Sequence, residues 1–219
     1  MIIAIDGPSG VGKSSTAKGV ARALGLGYLD TGAMYRAVTV AFLDAGVEPS
    51  DTAAVIAATR SADIDISVDP DDFWVRVNGR DVTTEIREPY VSAKVSTVST
   101  IAECRADLVK RQRDIIMAHA DPGIVAEGRD ITTVVAPDAP VRILMSASEA
   151  ARLARRKQEL GQKVDEAQLV DQVLRRDRDD SKLVNFTTAA DGVISLDNSD
   201  LTKEQTIQLV IDIAKGVAK

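Results

Sequence analysis

A glycine-rich segment near the start of the chain has the residue types and spacing of a phosphate-binding loop. Residues 7–14, G-P-S-G-V-G-K-S, match the pattern G-x-x-x-x-G-K-[ST] in full. Glycines let backbone N–H groups curl around phosphate oxygens, the following helix adds partial positive charge, and Lys13 adds a full one. The hydroxyl of Ser14 is suited to Mg²⁺, so the segment predicts binding of a nucleoside triphosphate with magnesium. The residues assigned to this site are Gly7, Pro8, Ser9, Gly10, Val11, Gly12, Lys13, Ser14 and Ser15.

The sequence lacks the patterns of two other protein classes that use such a loop. A GTPase would need an N-K-x-D base-recognition motif and a D-x-x-G switch motif, and neither string occurs. A transport ATPase would need a longer chain and a signature similar to L-S-G-G-Q, which is also absent. These exclusions leave a small kinase whose acceptor site must be formed by the rest of the chain.

Three further clusters of polar residues have the chemistry to hold an anionic acceptor. They are residues 29–36, L-D-T-G-A-M-Y-R, residues 127–130, E-G-R-D, and residues 175–182, R-R-D-R-D-D-S-K. In the first cluster we expect Thr31 to be the N-cap of a helix, with Tyr35 and Arg36 one turn further on and able to reach an anion. In an α/β sheet the clusters that follow strands meet in the crevice at the carboxyl ends of those strands.

Short runs rich in Ile and Val alternate with helical patterns, which predicts a parallel sheet between helices. The predicted strands are at about residues 1–6, 27–30, 123–127, 141–145 and 193–197. The predicted helices are at about residues 13–25, 32–46, 50–61, 101–119, 147–160, 165–178 and 202–217. The fold class is therefore α/β, with a P-loop NTPase-type, five-stranded parallel sheet flanked by helices.

Two segments depart from this alternation. Residues 62–100 contain short strand patterns, and Asn78-Gly79 is a strong signal for a two-residue hairpin turn, so we assign an antiparallel-sheet insertion there. Residues 150–188 are rich in Arg, Lys and Asp and predict a helical lid. The kinase core would then be formed by residues 1–61 and 101–219, with the lid included.

Composition and charge exclude several functions. Apolar residues make up 45% and charged residues 27%, which excludes disordered and fibrous chains. The net charge of −6 argues against binding to nucleic acid or anionic membranes. The single Cys104 and single His119 cannot form an internal disulfide, a metal cluster or a serine-type triad, and we expect both to lie in a helix. With no signal-peptide pattern and no long apolar run, we expect a cytoplasmic protein. Nothing in the sequence demands more than a monomer, so we expect a monomer.

The motifs of the chain resemble those of bacterial cytidylate kinases, in the nucleoside monophosphate kinase group. The matching segments are G-P-S-G-x-G-K-S, L-D-T-G-A-M-Y-R, K-R-Q-R at 110–113, G-R-D at 128–130 and V-V-A-P-D-A at 134–139. The resemblance covers essentially the whole chain, and D-T-G-A-M-Y-R with G-R-D is more specific than the loop alone. It implies transfer of phosphate from Mg-ATP to CMP and dCMP, and an enlarged monophosphate-binding insertion with a small sheet.

The resemblance also implies roles for individual residues. Arg36 and Arg129 would hold the acceptor phosphate, and Ser96, Arg105 and Asp130 would recognise cytosine. The remaining substrate-binding residues would be Thr31, Tyr35, Arg176 and Asp180, and the catalytic residues would be Lys13, Arg129, Asp130 and Arg176. A carboxylate with a guanidinium is complementary to the amino group and N3 acceptor of cytosine, whereas uracil would leave both contacts mismatched.

The base-recognition assignment depends on a helix break. Ser96 and Arg105 are nine residues apart, which places them about 180° apart on one straight helix. They could not then contact the same base. Residues 100–103, Thr-Ile-Ala-Glu, form a capping-box pattern, which predicts that a new helix begins between them.

The lid departs from the family pattern. The family commonly has D-S-T-R followed by V-A-P-L, whereas this chain has D-S-K-L-V-N-F at 180–186 and is about two residues shorter. Lys182 would replace an arginine, but a lysine is a point charge without the two-pronged geometry of a guanidinium. The candidate compensating residues are Arg152, Arg155, Arg156 and Arg178.

The expected mechanism needs no general base, because the second pKa of a phosphate ester is near 6 and the acceptor oxygen is already ionised at pH 7. Catalysis would rest on alignment and on positive charge around the transferring group, with lid closure excluding water. Two alternatives remain open. One is a kinase for another nucleotide or for a metabolite hydroxyl, with Asp30 or Asp130 as the base. The other is an ATP-dependent binding module without turnover.

Overall fold

The computed structural model describes residues 1–160 and 188–217. Five parallel strands form its central sheet, in the order β2-β6-β1-β7-β8. Their bounds are β1 Ile2–Asp6, β2 Gly27–Asp30, β6 Ile124–Gly128, β7 Val141–Ser146 and β8 Ile194–Asp197. All five lie within about one residue of their expected positions, so the predicted parallel core is confirmed.

Helices cover both faces of this sheet. They are α1 Lys13–Leu24, α2 Thr31–Asp44, α3 Thr52–Ser61, α4 Pro89–Ser99, α5 Ala102–Ala118, α6 Glu149–Leu160 and α7 Lys203–Val217. The helix expected over 165–178 and most of the expected lid lie outside the described residues. Within the part of the chain that is described, no helix combines the length and the apolar character that a bilayer crossing requires.

The strands are apolar on both faces because each face has its own helical cover. Ile3, Ile5 and Val125 pack with α1 and α7, whereas Ala4 and Ala126 pack with α2, α4 and α5. This alternation follows from the two-residue period of a strand, and burial on both sides is typical of parallel sheets. The loops at the strand ends are therefore held on a rigid base.

A small antiparallel sheet lies in the predicted insertion. Its strands are β3 Ile64–Ile66, β4 Val75–Val77 and β5 Arg80–Asp81, in that order. Asn78 and Gly79 join β4 to β5 with φ angles of 50° and 78°, so the predicted two-residue turn is confirmed. The assignment of residues 62–100 to an insertion separate from the kinase core stays a prediction.

The second half of that segment is helical, which the sequence analysis missed. A 3₁₀ turn at Glu85–Arg87 leads into α4, whose Pro89 occupies a position in the first turn where its missing N–H costs nothing. Val91, Val95 and Val98 are buried at helical spacing. Many Ser, Thr and Val residues, which are weaker helix formers, obscure this pattern.

Two expectations about helix caps are wrong. Thr31 is the first residue of α2 rather than its cap, because the Asp30 carboxylate accepts from the backbone N–H of Ala33 at 2.8 Å. The break between α4 and α5 is confirmed, but Thr100 does not cap α5. Its hydroxyl donates instead to the Ser96 carbonyl at 2.7 Å.

Candidate active site

The register of the sheet brings the ends of three strands together. Asp30 lies beside Glu127 in the β2–β6 pairing, and Asp6 lies beside Gly128 in the β1–β6 pairing. The phosphate-binding loop follows β1, the first predicted cluster follows β2, and the second follows β6. The structure thus places these segments side by side at one sheet edge, whereas the third cluster, at 175–182, lies outside the described residues.

The loop has a backbone conformation that requires glycine. Gly7 and Gly12 have φ angles of 151° and 91°. A Cβ atom on Gly7 would lie 2.4 Å from the carbonyl oxygen of Met145, which the sheet holds in place. Gly12 is the N-cap of α1 and offers no side chain to the first N–H groups of the helix. Those groups are therefore suited to a bound phosphate.

Side chains from α6 and from the segment after β8 hold the carbonyl groups of the loop. Arg152 Nη1 donates to the Ser9 carbonyl at 3.0 Å. Arg155 Nη1 and Asn198 Nδ2 donate to the Val11 carbonyl at 3.3 and 2.9 Å. Satisfying the carbonyls in this way leaves the N–H groups for a ligand. Arg152 and Arg155, which were candidates to compensate for the arginine missing from the lid, thus contact the loop. Sequence reasoning missed Asn198.

A buried carboxylate faces the start of α1. Glu127 is 3% exposed, accepts from the Tyr28 hydroxyl at 2.7 Å, and hydrogen-bonds with the Ser14 hydroxyl. Burial, and then the charge of Asp30, raise the pKa of Glu127, while Lys13 and the two hydroxyls act in the opposite direction. Burial, with Glu127 next, also raises the pKa of Tyr28. Sequence analysis placed Glu127 in the 127–130 cluster but gave it no role, although its position at the end of the strand beside β1 is a usable signal.

This arrangement fits Mg²⁺ by the chemistry of its donors. Ser14 and Glu127 present oxygen atoms next to Lys13, and Mg²⁺ prefers oxygen ligands. Among residues 1–160 and 188–217, no group of three or more His, Cys, Asp or Glu side chains forms a metal cage. Mg²⁺ is commonly held by one or two protein oxygens with phosphates and waters, which agrees with this sparse set.

Two arginines converge on Asp30 at the end of β2. Arg36 Nη2 lies 3.3 Å from Asp30 Oδ2, and Arg87 Nη2 lies 4.0 Å from the same oxygen. The Arg36 side chain is 12% exposed, and its Nε has no hydrogen-bond partner among the described residues. A buried donor without a partner is costly, so the site is suited to an anion that would accept from it. Sequence reasoning missed Arg87, which lies in the insertion.

A guanidinium–carboxylate pair lies on the other side of the edge. Arg105 of α5 forms an ion pair with Asp130, and Asp130 is 5% exposed. Arg105 Nη1 also lies 3.5 Å from the Ser99 carbonyl at the end of α4. Ser96 is half-buried one turn earlier, and Arg129 is half-buried next to Asp130. The structure therefore brings α4, α5 and the loop after β6 together, as base recognition requires.

Other predicted residues have different surroundings. Thr31 is buried, and its hydroxyl donates to the Glu127 carbonyl at 2.7 Å. Tyr35 is buried on α2. Arg176 and Asp180 lie outside the described residues, as do Arg178 and Lys182.

The single cysteine and the single histidine belong to α5 and its end, close to the prediction. Cys104 is buried and accepts from the Thr59 hydroxyl at 3.2 Å. His119 follows the last residue of α5, and its Nδ1 lies 2.8 Å from the Ile115 carbonyl oxygen. Both side chains therefore have structural contacts away from the sheet edge.

Known proteins resemble this chain over nearly its full length. The family model for cytidylate kinase matches residues 3–216. A cytidylate kinase of Cutibacterium acnes is 50% identical and covers 97% of this chain and 95% of its own. One of Mycobacterium avium is 44% identical, with 98% and 95% covered.

Solved structures support the fold alone. A crystal structure of an uncharacterized protein from Eubacterium ventriosum aligns with a TM-score of 0.53 at 13% identity, covering 99% of this chain and 98% of that one. One from Thermus thermophilus aligns with a TM-score of 0.50 at 15% identity, covering 98% and 97%. The family model and the curated relatives go further, because they match in sequence from end to end. The chain belongs to the cytidylate kinase family.

Proposed function

We propose that this chain transfers the γ-phosphoryl group of ATP to CMP and dCMP, giving ADP and CDP or dCDP. The observation that carries this proposal is the ion pair between half-buried Arg105 and buried Asp130, at the same sheet edge as the phosphate-binding loop. Its membership of the cytidylate kinase family gives independent support. The base, the acceptor phosphate and the donor phosphates would then occupy three neighbouring positions along one edge.

Base selection would follow from the chemistry of the pair. The Asp130 carboxylate accepts from the cytosine amino group, and the Arg105 guanidinium donates to N3 and O2. Uracil presents an N–H and a carbonyl at those positions, so each protein group would face the wrong partner. Mismatched buried polar groups cost about 1–3 kcal/mol each, which is enough for strong discrimination. Ser96 supports recognition from α4.

Arginines would hold the acceptor phosphate. Arg36 has an unsatisfied Nε, Arg87 lies near the same Asp30 carboxylate, and Arg129 follows β6, the strand that pairs with β2. The phosphate oxygen needs no base. Both carboxylates that a hydroxyl acceptor would require are already engaged, because Asp30 caps α2 and pairs with Arg36, and Asp130 pairs with Arg105. This argues against the metabolite-hydroxyl alternative.

The loop would hold the donor. Lys13 Nζ, which here donates to the Pro8 carbonyl at 2.9 Å, is the only full positive charge among residues 7–14. Mg²⁺ held by Ser14, with Glu127 behind it, would neutralise charge on the β- and γ-phosphates. The predicted contributions of Arg176 and Asp180, the monomeric state and the cytoplasmic location stay predictions.

A coupled assay for ADP formation tests this function. It uses Mg-ATP with CMP, dCMP, UMP, AMP, GMP or no acceptor. Turnover that is confined to CMP and dCMP is the expected result. Activity with another acceptor would retain the donor site and contradict the assignment of Arg105 and Asp130. ADP release without any acceptor, or no release in any sample, would contradict the transferase itself.

A further inference from the structure

A buried carboxylate links the donor side of the site to the acceptor side. Asp6 is the last residue of β1, directly before the phosphate-binding loop, and is 2% exposed. Its carboxylate accepts from the backbone N–H of Ile131 at 2.9 Å and of Thr132 at 2.8 Å. It also accepts from the Thr132 hydroxyl at 2.6 Å. These contacts join residues 125 and 126 positions apart in the chain.

The three hydrogen bonds define the start of an unusual turn. Residues Ile131–Val135 form a single π-helical turn, and Asp130, the residue before it, provides no side-chain cap. The first N–H groups of any helix need acceptors from elsewhere, and Asp6 supplies two of them. At the other end, Arg113 donates to the carbonyls of Val134 at 2.6 Å and Val135 at 3.1 Å. The negative Asp6 carboxylate thus holds the start of the turn, and the positive Arg113 guanidinium holds its end.

The position of this turn determines the position of Asp130. The Asp130 carbonyl accepts from the N–H groups of Val134 at 2.8 Å and Val135 at 3.0 Å, so this residue belongs to the same hydrogen-bonded unit. Its side chain forms the ion pair with Arg105. Single π-helical turns occur frequently at functional sites, where they place one side chain in a position that a regular helix would not.

We propose that Asp6, acting with Thr132, is a positioning residue that sets the place of Arg129 and Asp130 relative to the phosphate-binding loop. The inference rests on the proposed function, because it takes Asp130 as the residue that recognises the base. Asp6 touches neither nucleotide in this scheme. It acts through the turn, and its place beside Gly7 adds a side-chain link between the two segments that the β1–β6 pairing holds side by side.

The chemistry requires a carboxylate at this position. Three donors face Asp6, and an ionised carboxylate is an acceptor only. An asparagine would direct an NH₂ group toward an N–H or hydroxyl donor. Like Thr, Val is β-branched and has nearly the same volume, so Thr132→Val removes one hydrogen bond without a large change in packing. Thr132→Ser keeps the hydroxyl and loses a methyl group.

The test compares kinetic constants of Asp6→Asn, Thr132→Val, Thr132→Ser and the unaltered protein, at a temperature where circular dichroism shows all of them folded. For Asp6→Asn we expect kcat/KM for CMP to fall about 100-fold, the size of effect that a 1 Å misplacement produces. Thr132→Val should lose about tenfold, since a hydrogen bond to a charged group is removed, and Thr132→Ser less than about threefold.

The pattern across substrates separates positioning from general damage. KM for ATP should stay within about twofold in each variant, while the ratio of kcat/KM for CMP to that for UMP falls. An equal rise in both KM values, an unchanged CMP/UMP ratio, or equal losses in the two Thr132 variants would overturn the inference. If Asp6→Asn does not fold, the two Thr132 variants decide. An unaltered protein that is inactive on CMP would contradict the proposed function as well.

Discussion

The donor and acceptor sides of this site are built from different kinds of group. The donor side is one run of residues, 7–14, whose glycine conformations and helix N-terminus present backbone N–H groups. The proposed acceptor side consists of side chains: Arg36 from α2, Arg105 from α5 and Asp130 from the loop after β6. One half is therefore specified by adjacent residues, and the other by tertiary structure.

This difference determines what a substitution can change. Backbone N–H groups contact phosphate, which every nucleoside triphosphate carries, so the donor side sets the rate without selecting the acceptor. Buried side-chain pairs discriminate between bases, because a wrong base leaves them unsatisfied. Variants of the donor side should then lower turnover uniformly, and variants of the acceptor side should change selectivity.

The largest effect is expected from Lys13→Ala. Removing the one full charge on the donor side should lower kcat by about 10³-fold, in line with the loss of a transition-state contact to developing charge. CMP and UMP should be affected equally, and calorimetry should show unaltered CMP binding without ATP. A variant that loses CMP binding would contradict the separation of the two sides.

Arg36→Lys should give the next largest effect. The charge is kept but the planar fork is lost, so the contact to the acceptor phosphate becomes a single point. We expect kcat/KM for CMP to fall about 100-fold, a loss typical of a misaligned bound acceptor, while KM for ATP is preserved. Wild-type kinetics in this variant would show that charge alone is sufficient on the acceptor side.

The same contrast explains how far the sequence predicts the molecule. The core strands and the described covering helices other than α4 follow from local periodicity, and the loop follows from eight adjacent residues, so these were predicted closely. Arg87 and Asn198 were missed and Glu127 was given no role, because their roles depend on sheet register and on contacts between distant segments. Local patterns contain no such information.

The roles of Arg105 and Asp130 in base recognition were predicted only through resemblance to a family. Arg105 and Asp130 are separated by 25 positions, and nothing in their spacing indicates an ion pair. Asp6 shows the same limit, because a polar residue at a strand end is usual and its partners lie 125 residues further on. Arg152 and Arg155, the candidates for lid compensation, contact carbonyl groups of the loop, and nothing in their local sequence indicates those partners.

Asp130→Asn should change selectivity more than rate. The amide no longer offers two charged oxygen acceptors, and it leaves Arg105 without its counter-charge. The ratio of kcat/KM for CMP to kcat/KM for UMP should therefore fall about 30-fold, within the range for one hydrogen bond to a charged group. Competition between CMP and UMP in one reaction measures that ratio directly. A preserved ratio would remove Asp130 from base recognition.

Glu127→Gln tests the buried carboxylate between the two sides. It should raise the Mg²⁺ concentration for half-maximal turnover about tenfold, as loss of an orienting partner does at metal sites. Because burial raises the pKa of Glu127, the folded state keeps this proton to a higher pH than the unfolded chain. The stability that this group contributes is therefore full at acidic pH and is lost as the pH rises through the folded pKa.

A glutamine cannot ionise and avoids that loss. In urea unfolding across a pH series, the free energy of unfolding of Glu127→Gln should rise relative to the unaltered protein as the pH increases above the usual range of glutamate. Two results together test the role of Glu127: the direction in which the free energy of unfolding changes with pH, and the higher Mg²⁺ concentration required for half-maximal turnover. Parallel stability curves would show that burial does not control the ionisation of Glu127.

Ser15→Ala should have the smallest effect, and it tests whether the donor side is a backbone site. The Ser15 hydroxyl is exposed and donates to the Gly12 carbonyl at 2.9 Å, so its removal costs one solvent-accessible hydrogen bond. We expect kcat to fall by about threefold, near the lower end of what one such bond contributes. Ser14→Ala is the matched comparison, because that hydroxyl lies against Glu127 and is assigned to Mg²⁺. If the two variants lost activity equally, side chains rather than backbone N–H groups would dominate donor binding.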